Sequence, residues 1–166
     1  MSKAKIKDSD SARDDAAWMN MALKLAGDAA AAGEVPVGAL VVKDGKVIGK
    51  GHNRNLMDND PTAHAELVAL REAAAHVGNH RLGDCVMFTT IEPCAMCAGA
   101  MVHARVTRLV YGAKDPKAGA AGSVLAVLNH PRLNHRIEVT EGVLAERCSE
   151  VLTSFFQARR GDGKTE

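Results

Sequence analysis

Apolar residues follow a helical spacing in some segments of the chain and form short β-rich runs in others. The apolar residues of the first segment lie three or four positions apart: Trp18, Met21, Ala22, Leu25 and Ala29. Two β-rich runs follow at 36–42 and 46–51, and the Asp44-Gly45 pair between them is typical of a tight hairpin turn. The pattern therefore predicts a helix over about 14–31 followed by an antiparallel hairpin.

β-rich and helical segments alternate over the rest of the chain. The sequence predicts strands over 84–90, 107–112 and 137–140, and helices over 60–76, 93–104, 123–129 and 143–159. Asp60 and Pro61 are predicted to be the N-cap and first position of one helix, and Pro93 is predicted to open the next. This order predicts an α/β fold of three layers, α/β/α, in which helices cover both faces of a mixed five-stranded sheet.

The 166 residues fit one domain, predicted over 13–160, with a mobile leader over 1–12 and a frayed tail over 161–166. No apolar run approaches the roughly 20 residues that cross a bilayer, and the charged start lacks the apolar stretch of a signal peptide. We therefore expect a cytoplasmic protein without a membrane partner. In that reducing compartment, the four cysteines are expected to be metal ligands or core thiols rather than disulfides.

The net charge of +1 conceals an uneven distribution of charge along the chain. Residues 1–100 carry 11 Lys and Arg against 13 acids, whereas residues 101–166 carry 10 against 7. Within 101–136, six cations face the single acid Asp115: Arg105, Arg108, Lys114, Lys117, Arg132 and Arg136. This segment is either a local, salt-sensitive surface for RNA or a solvated surface spread over several faces.

Two short motifs carry the candidate chemistry, His64-Ala65-Glu66 and Pro93-Cys94-Ala95-Met96-Cys97. Cys94 and Cys97 are three positions apart, so both sulfurs can face one ion from the first turn of a helix, whose N-terminus favours thiolates. With His64 they offer one imidazole and two thiolates, a set that prefers Zn²⁺ to magnesium or calcium. Three protein ligands leave the fourth tetrahedral position open, which is typical of a catalytic site.

Glu66 adds a proton-transferring group to this predicted metal site. If its helix meets the metal end-on, the carboxylate can reach a zinc-bound water without binding the metal itself. Either motif alone has other interpretations: C-x-x-C also occurs as a redox pair or as two core thiols, and H-x-E near a helix start as caps or surface groups. Together, in this order, they form the signature of zinc nucleobase deaminases.

The sequence also resembles one deaminase family, the bacterial tRNA-specific adenosine deaminases, over roughly residues 14–160. The similarity is carried by the segments at 34–39, 60–66, 92–101, 112–115, 119–123 and 134–136. It implies a cytidine-deaminase-like fold, a homodimer and one Zn²⁺ per subunit. It also implies hydrolytic deamination of adenosine to inosine at the first anticodon (wobble) position of tRNA, with the anticodon stem-loop of an arginine tRNA as the expected partner.

The resemblance further assigns roles to individual residues. It implies that His64, Cys94 and Cys97 hold zinc and that Glu66 is the catalytic proton shuttle for a zinc-activated water. The implied substrate-binding residues are Asn53, Val35, Ala65 (through its backbone amide), Asp115, Phe156 and Arg159. Some have simpler interpretations: Asn53 as a turn residue, Val35 and Ala65 as core, and Asp115 as part of an Asp-Pro turn. Two rival functions remain, namely a deaminase of a free purine such as guanine, and a non-catalytic zinc and RNA-binding subunit.

Overall fold

The computed structural model describes the backbone of residues 8–161 and the side chains of residues 14–161. In chain order the elements are α1 (Asp8–Ala31), β1 (Gly38–Lys43), β2 (Lys46–His52), α2 (Ala65–Val77), β3 (Cys85–Ile91), α3 (Ala95–Ala104), β4 (Arg108–Ala113), β5 (Glu138–Thr140) and α4 (Ala145–Gly161). Residues 1–7 of the predicted leader and 162–166 of the predicted tail lie outside the described residues. Within the described part, no helix combines the length and the apolar character needed to cross a membrane.

The five strands form one sheet in the order β2-β1-β3-β4-β5. β1 pairs antiparallel with β2 and with β3, whereas β3 with β4 and β4 with β5 are parallel. The parallel pairs need crossovers, and α3 supplies the one between β3 and β4. The predicted mixed five-stranded sheet is therefore confirmed.

Successive side chains of each strand are buried on opposite faces of the sheet, as the pleat requires. In β1, Ala39 and Val41 belong to the core cluster that includes α2 and α3, whereas Leu40 and Val42 belong to the cluster that includes α1 and α4. Helices thus cover both faces of the sheet. The predicted three-layer architecture is confirmed.

Glycine allows α2 to approach the sheet closely. A Cβ built on Gly49 in β2 would collide with the carbonyl oxygen of Ala69 and with Ala73, so only glycine lets the helix backbone lie at this distance. This contact fixes the height of α2 above the sheet. It therefore also fixes where the residues at the N-terminus of α2 lie.

Two helix starts differ from the prediction by several residues, whereas α3 and α4 begin two positions later than predicted, α3 at Ala95 after Pro93 and Cys94. α1 begins at Asp8, so residues 8–12, which the sequence analysis placed in a mobile leader, are helical. α2 begins at Ala65 with His64 as its N-cap, because Asp60 caps an earlier turn instead of the helix. The Oδ1 atom of Asp60 accepts hydrogen bonds from the backbone N–H of Thr62 (2.8 Å) and from its hydroxyl (2.7 Å).

The helix predicted over 123–129 is wrong. This segment consists of turns and a single β-bridge between Ala121 and Ala126. Its backbone N–H groups bond outside any helical pattern: those of Val124 and Leu125 donate to the carbonyl of Gly119, and that of Val127 donates to the carbonyl of Ala120. These bonds reach further back along the chain than the four positions that an α-helix requires.

A buried ion pair links α1 to the start of β4. Arg108 donates from Nη1 and Nη2 to the two carboxylate oxygens of Asp15, at 3.0 and 2.8 Å, and Asp15 is 5% exposed. Arg108 also donates to the hydroxyl of Thr140 in β5. Since both charges are largely withdrawn from water, removing one of them leaves the other without its partner.

We expect Asp15→Asn to lower the free energy of unfolding by about 3 kcal/mol. Arg108 would keep its half-buried charge and lose the carboxylate that accepts hydrogen bonds from both of its terminal nitrogens. Urea denaturation at constant pH measures this change. The matched control is Asp58→Asn, which breaks an exposed pair with Arg54 and should leave the unfolding midpoint unchanged. Equal effects of the two substitutions would contradict the assignment of Asp15–Arg108 as a buried stabilising pair.

Candidate active site

Two helix N-termini meet at one edge of the sheet and carry the candidate metal ligands. His64 is the N-cap of α2 and Cys94 the N-cap of α3, both with extended backbone, and Cys97 lies in the first turn of α3. Extended N-cap residues project beyond the end of their helices, so the two caps face each other across the gap. Both helices therefore approach the candidate ligands end-on, which is the condition under which Glu66 can reach a zinc-bound water.

The three side chains have the spacing of a tetrahedral zinc site. Nδ1 of His64 lies 3.6 Å from Sγ of Cys94 and 3.5 Å from Sγ of Cys97, and all three ligand atoms lie within 4.8 Å of one another. Atoms bound to a common tetrahedral zinc at about 2.0–2.3 Å are themselves roughly 3.5 Å apart. The donor set and its geometry therefore fit zinc.

The surroundings favour a thiolate at Cys94. Hydrogen bonds with Cys97 and His64 lower the pKa of Cys94 to about 3. The N-terminus of α3 adds its positive dipole, which favours negative charge there. By contrast, the hydrogen bond with Cys94 together with burial raises the pKa of Cys97. A cation placed between the two sulfurs would stabilise both as thiolates.

Glu66 lies in the first turn of α2 and is 3% exposed. Burial raises the pKa of its carboxyl group above the ordinary value, against the opposing effect of a hydrogen bond with Cys97. Glu66 is not one of the three clustered ligands, yet it lines the same cleft as His64 and Cys94. A carboxyl group beside the metal ligands but outside their cluster is suited to proton transfer.

A cleft of about 470 Å³ opens in front of these residues, a size typical of small-molecule sites. It brings together residues from the segments after α1, after β2, after β3 and after β4, and from α4. Its lining is Val35, Val37, Asn53, Asn55, His64, Glu66, Ile91, Glu92, Cys94, Asp115, Lys117, Leu152 and Phe156. Among the ten residues singled out from the sequence, Ala65, Cys97 and Arg159 are not part of this lining.

Asn53 is fixed by the first residue of α2. The backbone N–H of Ala65 donates to Oδ1 of Asn53 at 2.9 Å, and both residues are buried. Because the donor is a backbone N–H, the oxygen of the Asn53 amide must be the atom that faces it. The Nδ2 group of Asn53 is then the donor left for a ligand in the cleft. Ala65 therefore positions Asn53, a role that differs from the substrate contact expected of its amide.

Asp115 is both a turn residue and part of the cleft lining. Its Oδ1 atom accepts hydrogen bonds from the backbone N–H groups of Lys117 (3.0 Å) and Ala118 (3.1 Å), as in a capped turn. The same residue lines the cleft beside Lys117. The turn thus holds one acid and one cation at the cleft wall.

The end of α4 forms the outer wall of the cleft. Phe156 is 43% exposed and packs edge-on against Phe155, with ring centroids 5.5 Å apart. Arg159 does not reach the cleft: its Nη2 donates to the carbonyl of Gly33, and its guanidinium lies 4.8 Å from the Phe155 ring centroid. It lines an adjoining depression of about 450 Å³ together with Lys117, Phe156 and Arg160.

The six cations of 101–136 do not act as one surface. Arg108 is bound to Asp15 at the far end of β4, and Lys114 lies 3.7 Å from the carboxylate of Glu141. Lys117 is the member of the set that lines the cleft. The segment therefore corresponds in part to the simpler interpretation, a charged surface spread over several faces.

Two buried carboxylates that sequence reasoning left without a role hold the loops around the cleft. Glu34, 2% exposed, accepts from the backbone N–H groups of Leu56 (2.7 Å) and Met57 (3.1 Å). Glu92, also 2% exposed, accepts from residues 115–123. One signal was available in the sequence: each acid directly precedes an apolar or Pro-Cys segment assigned to the site, where a free charge would be costly.

Comparisons with known proteins agree with this geometry. A family model described as MafB19-like deaminase matches residues 13–160. A tRNA-specific adenosine deaminase of Haemophilus influenzae is 50% identical over 153 residues, which cover 92% of this chain and 88% of the relative. One of Bacillus subtilis is 42% identical over 146 residues, which cover 88% of this chain and 91% of the relative.

Solved structures give the same result. A structure from studies of A-to-I editing by tRNA:A34 deaminases at the wobble position of transfer RNA matches with a TM-score of 0.80 and 41% identity, over 82% of this chain and 99% of its own. A guanine deaminase from Nitrosomonas europaea matches with a TM-score of 0.71 and 28% identity, over 84% of this chain and 83% of its own. The predicted cytidine-deaminase-like fold is confirmed. Since identities of 42–50% extend over 88–92% of its length, the chain belongs to the tRNA-specific adenosine deaminase family.

Proposed function

We propose that this protein hydrolyses adenosine to inosine at the first anticodon position of a tRNA. The observation that carries the proposal is the placement of Glu66 beside the His64, Cys94 and Cys97 cluster, at a cleft large enough for a nucleoside. Family membership supplies the substrate class, because relatives at 42–50% identity are named tRNA-specific adenosine deaminases. A zinc nucleobase deaminase needs a base withdrawn from stacking, which an anticodon loop offers at low cost.

The chain's own residues divide the chemistry between them. His64, Cys94 and Cys97 would hold one zinc ion per subunit. When bound, zinc supplies a water of lowered pKa as the nucleophile. Glu66 moves a proton from the nucleophile to N1 of the adenine as the new bond to oxygen forms at C6. Glu66 then carries the proton of the new C6 hydroxyl to the 6-amino group, the C6–N bond breaks to release ammonia, and the C6 carbonyl of inosine forms.

The cleft walls orient the base for this reaction. Asn53 offers its Nδ2 group to an acceptor on the purine, since its Oδ1 atom is held by Ala65. Val35 and Phe156 supply apolar surface, and an exposed aromatic ring of this kind can stack on a neighbouring base of the loop. Asp115 and Lys117 line the cleft and Arg159 lines the adjoining depression, which supports a role for all three beside the nucleotide backbone.

Three further properties belong to the same proposal and rest on the family resemblance, and a fourth rests on the charges around the cleft. The protein acts as a homodimer, its substrate is the anticodon stem-loop of an arginine tRNA, and it works in the cytoplasm, where that tRNA is used. Its affinity for the stem-loop should fall with rising salt, because cations at Lys117 and Arg160 border the cleft and the depression next to it.

A direct comparison of two substrates tests the assignment. We expect inosine in an arginine anticodon stem-loop incubated with the zinc-loaded protein, and no ammonia from free guanine. The guanine arm is needed because a guanine deaminase shares the fold at 28% identity. Ammonia from guanine without inosine in the RNA would overturn the assignment in favour of a free purine, and no product from either would favour a non-catalytic subunit.

A further inference from the structure

Glu92 lies between the metal ligands and a loop that borders the cleft. It directly follows β3 and stands two positions before Cys94, and it is 2% exposed. A carboxylate so far withdrawn from water requires hydrogen-bond donors from the protein. All four of its donors come from residues 115–123, here called the 115–123 loop.

Both carboxylate oxygens of Glu92 are engaged by this loop. Oε1 accepts from the backbone N–H of Asp115 at 3.1 Å and from the hydroxyl of Ser123. Oε2 accepts from the backbone N–H groups of Ala121 at 3.0 Å and Ser123 at 3.1 Å. Three backbone amides spread over nine positions thus converge on one side chain, in place of the helix that the local sequence favours.

The loop also wraps closely around the carboxylate. A Cβ built on Gly119 would collide with the Glu92 carboxylate and with the carbonyl oxygen of Asp115. The absence of a side chain at Gly119 therefore makes room for the charged group. The donors to both oxygens specify a carboxylate at this position, and the space beside Gly119 fits a group of its size.

We propose that Glu92 is a positioning residue for substrate binding, which holds the 115–123 loop in the conformation that places Asp115 and Lys117 at the cleft. Its effect on kinetics rests on the proposed function, whereas its effect on the loop does not. Without the carboxylate, the three amides lose their acceptor and the loop spends part of its time in other conformations. The apparent affinity for substrate is then multiplied by the fraction of molecules whose loop is ordered. Bound substrate selects the ordered loop, so the reaction of the bound complex is unaffected.

The test substitution is Glu92→Gln, which keeps size and one oxygen but turns an NH₂ group toward backbone N–H donors. We expect KM for the stem-loop to rise on the order of tenfold while kcat stays within about twofold. A tenfold rise corresponds to an ordered loop in about a tenth of the molecules. Zinc content should equal that of the unaltered protein. Amide hydrogen exchange at Asp115, Ala121 and Ser123 should become faster.

Asp15→Asn is the matched control, because it also converts a buried carboxylate to an amide, but at the opposite end of β4 from the cleft. It should lower stability and leave KM unchanged. If Glu92→Gln does not fold, Ser123→Ala carries the test, since it removes one of the four donors and should raise KM by a smaller factor.

Several results would overturn the proposal. An unchanged KM would show that Glu92 does not act on substrate binding. A fall in kcat alone or a loss of zinc would place Glu92 in the metal site or in the general stability of the fold. If the unaltered protein makes no inosine, the proposed function fails, and hydrogen exchange alone decides the role of Glu92. Unchanged exchange at the three amides would then refute it.

Discussion

Glu66→Gln is expected to abolish most deamination while leaving the metal site intact. The amide has the size of the carboxyl group and lies in the same buried position, but it cannot carry a proton from the nucleophile to N1 of adenine. General acid–base groups contribute on the order of 10²–10⁴ in rate, which corresponds to roughly 3–5 kcal/mol of barrier. We therefore expect the single-turnover rate of inosine formation in the stem-loop to fall by that factor.

Three measurements separate this role from a structural one. Zinc content, stem-loop affinity and the midpoint of thermal unfolding should match those of the unaltered protein. Glu72→Gln is the control, because Glu72 lies exposed on the same helix, and its removal should leave the rate unchanged. A Glu66→Gln protein that retains its rate within tenfold would remove Glu66 from the mechanism.

The second large effect is expected from Cys97→Ala, which removes one of three predicted zinc ligands. Deamination should be lost at least as completely as in Glu66→Gln, because the nucleophile depends on the metal. Zinc content after dialysis should also fall, and the free energy of unfolding should decrease together with it, since metal binding is coupled to folding. Metal analysis and urea denaturation of the same preparations measure the two effects.

Cys85→Ala is the matched control for this substitution. Cys85 and Cys97 are both fully buried, so each substitution removes the same sulfur atom from a packed interior. Cys85 lies outside the ligand cluster, and its thiol donates to the carbonyl of Gly83. We expect its removal to cost packing energy without loss of zinc. Retention of full zinc content by Cys97→Ala would show that Cys97 is not a ligand.

The candidate ligands were predictable because their signal is local. His64 precedes Glu66 by two positions and Cys94 precedes Cys97 by three, and each spacing has meaning only at the start of a helix. Asp60-Pro61 and Pro93 placed both motifs at helix starts, and the structure places them there, with the caps at His64 and Cys94. The exact start of α2 was missed by a few residues, because Asp60 was bound by Thr62 in a separate turn.

The loops around the site were less predictable because their conformations depend on distant partners. The helix expected over 123–129 is absent: the N–H groups of Leu125 and Val127 donate to the carbonyls of Gly119 and Ala120, further back along the chain than a helix allows, and Glu92, about 30 positions earlier, accepts from the amides of Ala121 and Ser123. The role expected of the Ala65 amide changed for a similar reason, since it donates to Asn53, 12 positions away. Secondary-structure propensity and hydrophobic periodicity depend only on residues that are close in the chain. Contacts between distant residues therefore cannot be read from them.

The basic segment shows the same limit. A count of charges along the sequence places Arg108 and Lys117 in one group. In the structure, Arg108 forms an ion pair with Asp15, whereas Lys117 lines the cleft. Net charge per segment measures composition, whereas the electrostatic surface depends on which cations the fold leaves without an acid beside them.

The sequence by itself determined the α/β order and the three candidate ligands with Glu66. The order follows from helical spacing, β-rich runs and turn residues, and the ligands follow from spacings within one helical turn, all of which are short-range properties. Only the tertiary structure decided that two helix N-termini meet at a single point, that Asn53 presents Nδ2 to the cleft, and that Glu92 holds the 115–123 loop. Those features arise when groups far apart in the chain must satisfy each other's buried charges and hydrogen bonds, which is a condition on the whole fold rather than on any segment.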